Sequence, residues 1–335
     1  MKVSAIISLM CALTLSSASM AAEVSVEEQR RALEQAGELI EARYVDVERV
    51  PAIQIALEEL RDNVRGPREG AEFAALVTAK LRDVSKDGHL GLSYSEKPIA
   101  AQQDETNSLT LNDDFEQWYG AAVNSGVTRI EQHDDNIMQL DLDIFPPPAM
   151  GGDVVSAAMT VVAQADALII DLRNNSGGAE TVALVLGYLV PPGSPFMSSY
   201  HRPSESWTHR SVPEWVPGRR FGEDKPLYVL ISKRTFSAGE ALAYSLQAME
   251  RATIVGGQSG GGAHPFEYRR VSDHFAVDLP EAKSRHPLTG TNWQGVGVTP
   301  DIVVDPDDAL EVALRLAREA IRDQSGSGSD PRSLP

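Results

Sequence analysis

Apolar residues recur at helical spacing along the first part of the chain. Ser25 and Glu28 form the S-x-x-E pattern of a capping box, which predicts the start of a helix. Pro51 is typical of the first turn of a second helix, and a third stripe begins at Phe73. The three stripes comprise Leu33, Ala36, Ile40 and Tyr44, then Ile53, Leu57 and Leu60, then Phe73, Leu76, Val77, Lys80, Leu81 and Val84. We expect a small helical bundle over residues 25–86, and no cofactor is implied because apolar stripes ordinarily form core.

The rest of the chain alternates short apolar runs with helical patterns. Residues 167–171 form an almost continuous apolar run, which is typical of a strand buried on both faces. Further strands are predicted at residues 90–94, within 115–145 (most clearly 137–144), and at 227–231, 253–255, 275–279 and 302–304. Helices are predicted at residues 153–165, 180–189 and 307–322, and directly after Ser237. The repeated order of strand, turn and helix predicts an α/β fold.

Several stretches lack periodicity. Residues 95–113 are polar and predict a linker or long loop. Residues 191–224 are rich in Pro, Ser, Arg and Trp, and predict either a lid near a site or a plain surface loop. The prolines at 146–148 and the glycines at 151–152 are expected to interrupt secondary structure. The Ser/Gly/Pro-rich residues 323–335 are expected to be disordered.

Residues 1–21 have the pattern of a secretory signal peptide. Lys2 supplies a positive start, residues 3–15 are mostly apolar, and Ser19-Met-Ala21 is a small-x-small cleavage site. The apolar run is too short for a transmembrane helix, so we expect cleavage after Ala21 and no membrane insertion of the mature chain. This pattern predicts a periplasmic or secreted bacterial protein.

The expected domain organisation follows from these patterns. A signal peptide over residues 1–21 precedes an N-terminal helical bundle over residues 22–90. An α/β core over residues 91–322 is followed by a flexible tail over residues 323–335.

Composition narrows the classes of function. The 335 residues carry a net charge of −18, which argues against a nucleic-acid partner because phosphate binding needs clustered Lys and Arg. Cys11, the only cysteine, leaves with the signal peptide, so the mature chain has no disulfide and no thiol chemistry. The chain has no H-E-x-x-H motif and no close His/Asp cluster, so no metal site is predicted.

Two residues are candidates for nucleophilic catalysis. Ser237 follows a strand and opens a helix, where free N–H groups can stabilise a developing anion. The same Ser237-Ala-Gly-Glu240 run is also a capping box, whose serine ordinarily only caps a helix. His89 lies between a helix and a strand, and is either a base for the serine or a surface histidine of a turn.

Four stretches carry a resemblance to a known family. They are Asp87-Gly-His-Leu90, Asp171-Leu-Arg-Asn-Asn-Ser-Gly-Gly178, Arg234-Thr-Phe-Ser-Ala-Gly-Glu240 with residues 256–264, and Asn292-Trp-Gln-Gly-Val-Gly-Val-Thr-Pro-Asp301. In this order they resemble the tail-specific, or C-terminal processing, serine peptidases. The branch with interphotoreceptor retinoid-binding protein and the tricorn protease core is the most similar. The resemblance implies a Clp-protease/crotonase-like α/β core. No stretch between Leu90 and Asp171 resembles the PDZ module of the processing branch.

The resemblance also implies roles for individual residues. Ser237 matches the nucleophile and His89 the base, while the backbone N–H groups of Gly178 and Ala238 match the oxyanion hole. Glycine at position 178 lets a substrate approach the backbone closely, and Gly177 is a candidate for substrate binding. The alternative for both glycines is a plain turn. One further histidine, in the glycine-rich segment, either lines the substrate site or is a solvated loop residue; it is His264.

The chain departs from the family's pattern at three positions. The lysine of a serine–lysine dyad would fall near Gly262, and residues 256–264 contain no lysine, so a histidine must serve as the base. The tricorn-like pattern has a serine just before this histidine, where the chain has Gly88. The family's acid in N-W-E-G is replaced by Gln294, which can orient an imidazole without stabilising its charge. A comparable Asp-to-Asn change lowers turnover about 10⁴-fold. The carboxylates that could substitute are Glu240 and Asp87, and a structural role is the alternative for both.

Three functions remain open. The first is a secreted or periplasmic serine peptidase that cleaves peptides or unfolded proteins. The second is a catalytically weak or inactive relative that binds apolar ligands or peptides, which Gln294 favours. The third is an acyl-CoA enzyme of the crotonase type, against which secretion argues. The oligomeric state stays open.

Overall fold

The computed structural model of the protein describes residues 23–100 and 114–327. The helices are α1 (Val26–Arg43), α2 (Val50–Asp62), α3 (Gly70–Ser85), α4 (Asp114–Tyr119), α5 (Pro148–Val162), α6 (Thr181–Leu189), α7 (Ala238–Ala248) and α8 (Ala309–Ser327). The strands are β1 (Glu23–Val24), β2 (Arg68–Glu69), β3 (Gly91–Tyr94), β4 (Val127–His133), β5 (Ile137–Leu142), β6 (Ala167–Asp171), β7 (Pro195–His201), β8 (Ser206–Ser211), β9 (Leu227–Ile231), β10 (Thr253–Gly256), β11 (Phe266–Arg270), β12 (Phe275–Pro280), β13 (Ala282–Arg285) and β14 (Ile302–Val303). The signal peptide predicted at residues 1–21 lies outside the described residues. In the ranges above, no helix is both long and apolar enough to cross a membrane.

A six-stranded sheet forms the centre of the molecule, in the order β14-β10-β9-β6-β5-β4. Neighbouring strands run parallel except for β4, which is antiparallel to β5. Every residue of β6 and β9 is buried, because helices cover both faces. Ile170 and Val229 pack on the face with α5, α6 and α7, whereas Ile169 and Tyr228 pack against α8. The predicted α/β class is therefore confirmed.

The carboxyl ends of β5, β6 and β9 meet at one edge of this sheet. The loops that follow them contain Asp143, residues 172–178 and residues 232–237. Open α/β sheets ordinarily place their ligand sites at this edge. The fold thus brings two of the four recognised stretches together there.

The N-terminal helices α1, α2 and α3 form the expected bundle. Ser25 caps α1 by accepting the Glu28 N–H at 3.2 Å, as its sequence pattern predicts. The bundle shares one hydrophobic core with β3 and β12, where Phe73 meets Phe275 edge to face at 5.4 Å between ring centroids. Residues on both sides of position 90 therefore contribute to a single core.

Helix α5 begins earlier than predicted. It starts at Pro148, five residues before the expected position 153, and the two glycines at 151–152 lie inside it. Proline suits the first helical turn, because its fixed φ angle is already helical and no N–H bond is lost there. Burial of Val155, Met159 and Val162 against the sheet then outweighs the low helix propensity of glycine.

Residues 191–224, predicted as a lid or a plain surface loop, include regular structure that the sequence did not predict. They contain the hairpin β7–β8, which forms a second sheet with β13. All six residues of β8 are exposed, so the strand has no alternation of apolar and polar positions that would reveal it.

Smaller differences occur elsewhere. The region from 115 begins as helix α4 rather than as strand, and strands β11 and β13 were not predicted. Helix α8 continues to Ser327, although residues 323–335 were expected to be disordered. The remainder of that stretch, and residues 101–113 of the predicted linker, lie outside the described residues.

Candidate active site

Ser237 occupies the turn between β9 and α7. Its φ of 51° and ψ of −113° are unusual for a residue with a side chain, and such strain is maintained only where the surroundings determine the conformation. The turn holds the serine one residue before the first N–H groups of α7. The sequence therefore predicted the strand, turn and helix correctly.

His89 faces Ser237 from the other side of the site. Its Nε2 lies 3.0 Å from the Ser237 Oγ, which is hydrogen-bonding distance. The histidine follows α3 in a short loop, and only 7% of it is exposed. Its ring packs between Phe236 and Phe266, with ring centroids 4.7 and 5.6 Å away. The structure thus brings together the two residues that sequence reasoning had paired.

The surroundings of His89 favour its neutral form. Burial lowers the pKa of His89 to about 4, against the attraction of Asp87; the charges of His264 and Arg82 lower it further. A neutral imidazole can accept a proton, as a base requires. If Nε2 accepts from the serine hydroxyl, Nδ1 must carry the hydrogen. Within the described ranges, that buried Nδ1 has no hydrogen-bond partner.

The side chain of Gln294 binds a backbone N–H group rather than the His89 ring. Its Oε1 accepts the Ala263 N–H at 2.6 Å, and its own N–H donates to Asn292 Oδ1 at 2.9 Å. The neighbouring Trp293 donates its indole N–H to the Gly262 carbonyl at 2.8 Å. The segment that aligns with the family's acid therefore anchors residues 262 and 263.

Glu240 is fully buried and also binds backbone. Its carboxylate accepts the N–H groups of Ser237 at 2.9 Å, Gly261 at 2.6 Å and Gly262 at 2.8 Å. It also accepts the Ser259 hydroxyl at 2.5 Å. Burial raises the pKa of Glu240, although these four donors oppose the shift. Glu240 thus joins the nucleophile's backbone to the glycine-rich loop.

Asp87 is the centre of a second buried cluster. Its Oδ1 accepts the backbone N–H of His89 at 3.0 Å. Its Oδ2 lies 3.0 Å from His264 Nδ1 and accepts the Tyr44 hydroxyl at 3.1 Å. Burial alone would raise the pKa of Asp87, but the hydrogen bond and charge of His264, together with the His89 N–H, hold it below its ordinary value. His264, a candidate for lining the substrate site, is thus packed against a carboxylate and only 7% exposed.

The backbone N–H groups of Ala238 and Gly178 are the candidates for an oxyanion hole. Ala238 is the first residue of α7, so its N–H has no acceptor within the helix. The backbone of Phe145 bonds to the Gly177 carbonyl at 2.8 Å and the Ala179 N–H at 2.6 Å. This pairing directs the Gly178 N–H away from Phe145. A Cβ at residue 177 would lie 2.8 Å from the Ser237 Cβ, so only glycine allows this approach.

Gly262 lies near the place where the resemblance puts the lysine of a serine–lysine dyad. A Cβ there would lie 2.3 Å from Phe236 Cζ and 2.7 Å from His89 Cε1. The rings of Phe236 and His89 together fill the space that a side chain at 262 would need. A lysine at 262 and the observed position of His89 therefore exclude one another.

An open cavity of about 570 Å³ lies beside the glycine turn. Its apolar lining includes Trp118, Val123 and Ile144, and its polar lining includes Asn174 and Ser176. Ser176 directly precedes Gly177 in the glycine turn, so the cavity adjoins the loop that follows β6. In the described part of the chain, no group of three or more His, Cys, Asp or Glu side chains could hold a metal ion.

Sequence reasoning missed the Asp87 cluster. The sequence pattern predicts Tyr44 as a core residue of α1, and it leaves His264 either lining the substrate site or solvated in a loop. Their positions, 44, 87 and 264, are too far apart along the chain for a local pattern to reveal the contact. The one available signal was an acidic residue two positions before His89.

Comparisons with known proteins identify the family and the fold of the chain. The model of "Peptidase family S41" matches residues 137–304. A carboxyl-terminal-processing protease from Synechocystis sp. is 26% identical over 275 residues, which are 81% of this chain and 56% of that protein. The chain thus spans about half the length of that relative.

Solved structures give the same fold. A lipoprotein from Streptococcus agalactiae has a TM-score of 0.58 at 13% identity, covering 87% of this chain and 96% of that one. The tricorn protease has a TM-score of 0.53 at 14% identity, covering 89% of this chain and 37% of that one. The α/β core and the resemblance to processing and tricorn peptidases are therefore confirmed, and the chain belongs to peptidase family S41.

Proposed function

We propose that the protein is a serine peptidase in which Ser237 is the nucleophile and His89 the general base. The observation that supports this most directly is the 3.0 Å separation between His89 Nε2 and Ser237 Oγ. A serine hydroxyl is a weak nucleophile and needs a base to accept its proton. The strained turn and the lowered pKa of His89 fit these two roles.

Each step of peptide cleavage has a residue to perform it. His89 Nε2 takes the proton as Ser237 Oγ bonds to the scissile carbonyl carbon, and the carbonyl oxygen becomes negative. The N–H groups of Gly178 and Ala238 donate to this oxygen, a contribution of about 3–4 kcal/mol per donor in measured cases. His89 then gives its proton to the leaving amine, and the C–N bond breaks. Water, activated by His89, hydrolyses the acyl-enzyme and restores the serine.

The imidazolium formed in these steps has modest electrostatic support. Its Nδ1 has no carboxylate partner in the described residues, and Asp87 acts on it only through space and through the backbone N–H. A carboxylate on Nδ1 stabilises the imidazolium in a Ser-His-Asp triad. We therefore expect slower turnover than in an enzyme with a complete triad.

The substrates we propose are peptides or unfolded proteins. An extended peptide whose carbonyl lies at Ser237 would pass the cavity lined by Trp118, Val123 and Ile144. The Synechocystis relative is named as a protease that processes carboxyl termini. With the predicted signal peptide removed, the enzyme would act in the periplasm or outside the cell.

A mixed peptide library tests the proposal. The chain from residue 22 to 335 is compared with Ser237→Ala and His89→Ala, and products are identified by mass spectrometry. Cleavage should disappear with Ser237→Ala and fall about 10⁴-fold or more with His89→Ala, the loss expected when a group of a catalytic unit is removed. Thermal unfolding of each variant checks that the fold survives. Identical products from the parent and Ser237→Ala would contradict the proposal.

The second candidate is a peptide- or ligand-binding protein without turnover. The unpartnered Nδ1 of His89 and the amide at Gln294 favour it. A parent that binds library peptides without cleaving them, and that fails to react with a fluorophosphonate, would establish this alternative. The third alternative, an acyl-CoA enzyme of the crotonase type, loses its support because the matching family is one of peptidases.

A further inference from the structure

We infer that the loop of residues 261–264 couples the position of the nucleophile to the position of the base. In this arrangement His264 is a positioning residue, which acts on His89 through Asp87. The inference rests on the proposed roles of Ser237 and His89. The loop is bound at both ends by buried carboxylates, one on each side of the reacting pair.

At the first end, Glu240 joins the loop to the nucleophile. One carboxylate oxygen accepts both the Ser237 N–H at 2.9 Å and the Gly262 N–H at 2.8 Å. The other accepts the Gly261 N–H at 2.6 Å. A movement of residues 261 and 262 is therefore transmitted to the serine backbone.

At the second end, His264 joins the loop to the base. Its Nδ1 lies 3.0 Å from Asp87 Oδ2, and the other oxygen of Asp87 accepts the His89 N–H at 3.0 Å. The Tyr44 hydroxyl also donates to Oδ2, so α1 supports the same carboxylate. Asp87 is 1% exposed and Tyr44 is completely buried, so water does not compete for these contacts.

The middle of the loop touches the base directly. The closeness of Gly262 to His89 Cε1 and Phe236 means that the loop backbone forms one wall of the imidazole site. Gln294 and Trp293 fix that wall through Ala263 N–H and the Gly262 carbonyl. Because His89 lacks a partner on Nδ1, its ring is positioned by packing against this wall and against Phe236 and Phe266. Asp87 holds the backbone N–H of the same histidine.

This arrangement predicts a specific pattern of kinetic effects. His264→Leu removes the donor to Asp87 and should lower kcat by about ten- to a hundredfold, since small displacements of reacting groups have effects of that size. KM should stay within about twofold, because His264 would not touch the substrate. His264→Asn places an amide N–H near the position of Nδ1 and should recover most of the lost kcat, whereas His264→Gln should recover less.

Two further variants keep the test interpretable. Tyr44→Phe removes one hydroxyl from Asp87 without a change in packing and should lower kcat about fivefold, as expected for one hydrogen bond. His209→Leu, on the exposed strand β8, is the matched control and should leave kcat unchanged. A higher KM with unchanged kcat in His264→Leu would overturn the inference, because it would make His264 a substrate contact.

A spectroscopic measurement separates failure of the inference from failure of the proposed function. In ¹H–¹⁵N spectra of the histidine rings, His264 should show a protonated Nδ1 that is protected from exchange. The His89 signals should shift in His264→Leu and return in His264→Asn, whether or not the parent cleaves peptides. Unchanged His89 signals in His264→Leu would overturn the inferred coupling even in an active enzyme. An inactive parent with the expected shifts would overturn only the proposed function.

Discussion

Ser237 and His89 meet within 3.0 Å, yet they are held by different parts of the molecule. Ser237 opens α7, whose buried residues belong to the core of the central sheet. His89 is followed by Leu90, which belongs to the core of the N-terminal helices and β12. The serine is oriented mainly by its own segment, from the end of β9 to Glu240, although Glu240 also binds the N–H groups of residues 261 and 262. The histidine is fixed by residues distant in sequence, including Phe236, Phe266 and Gly262.

The difference teaches that a nucleophile can be specified locally, whereas its base is specified by tertiary contacts. A strand-to-helix turn and a glutamate three residues later are enough to orient Ser237. No short segment could determine where the His89 ring lies. Variants that act on one side of the pair should therefore behave differently from variants that act on the other.

The largest effect is expected at the wall of the histidine site. Gly262→Lys places a side chain where His89 and Phe236 already lie, so the imidazole must move. We expect kcat/KM to fall about a thousandfold or more, approaching the loss of a catalytic group. In the double variant with His89→Ala, the Phe236 ring can move into the space that the imidazole leaves. The lysine should then restore part of the activity with an alkaline pH optimum. Parental activity in Gly262→Lys alone would show that His89 does not depend on this wall.

The nucleophile side is tested at Glu240. Glu240→Ala leaves buried N–H groups of Ser237, Gly261 and Gly262 without an acceptor, and should destabilise the fold by roughly 3–5 kcal/mol. The turnover of the folded fraction should fall about a hundredfold, because the serine turn loosens. Glu240→Gln keeps the volume and one acceptor and should lose less of both. Urea unfolding and peptide cleavage measure the two effects, with the exposed Glu319→Ala as control. Equal stability of Glu240→Ala and the parent would contradict this view.

The pH dependence of kcat/KM and of stability tests how His89, the base, is held. Burial lowers the pKa of His89 to about 4, so the imidazole stays neutral down to that pH. The acid limb of kcat/KM should therefore lie near pH 4 rather than near 6.5. The lowered pKa also means that the unfolded chain binds more protons, so stability declines as pH falls from about 6.5 through 4. Thermal unfolding at each pH separates the two effects, and an acid limb at 6.5 in stably folded enzyme would contradict the prediction.

The smallest effect is expected at Gln294. Gln294→Glu keeps an acceptor for the Ala263 N–H and adds a negative charge next to the wall of His89. We expect kcat/KM to rise about fivefold, the effect of roughly 1 kcal/mol of screened Coulomb attraction on the imidazolium. Gln294→Ala is the matched control and should lower kcat/KM, because Ala263 loses its anchor. A Gln294→Glu enzyme no faster than the parent would limit residue 294 to a structural role.

The sequence predicted the fold where apolar periodicity was strong. Strands β6 and β9 are continuous apolar runs, and the three N-terminal helices have clear stripes. Prediction failed where exposure or packing removed the pattern. Strand β8 has six exposed residues, and the start of α5 contains two glycines that packing against the sheet retains in a helix.

The candidate site was also predictable only where a short segment of sequence determines it. Ser237 and its helix were visible in a single segment, and the resemblance supplied His89. The contacts of Asp87, Tyr44 and His264 were not predictable, because three distant segments meet only in the folded chain. The resemblance suggested that Gln294 would face the histidine, whereas local hydrogen bonds hold it on Ala263.

Ser237 and His89 belong to two different hydrophobic cores, and this has a consequence for the partly folded chain. A molecule in which only the central sheet has formed contains an exposed serine but no base beside it. A molecule in which only the N-terminal helices have formed contains a histidine with nothing to activate. Under the proposed function, cleavage begins only when the two cores have docked, so half-folded copies are protected from digesting one another.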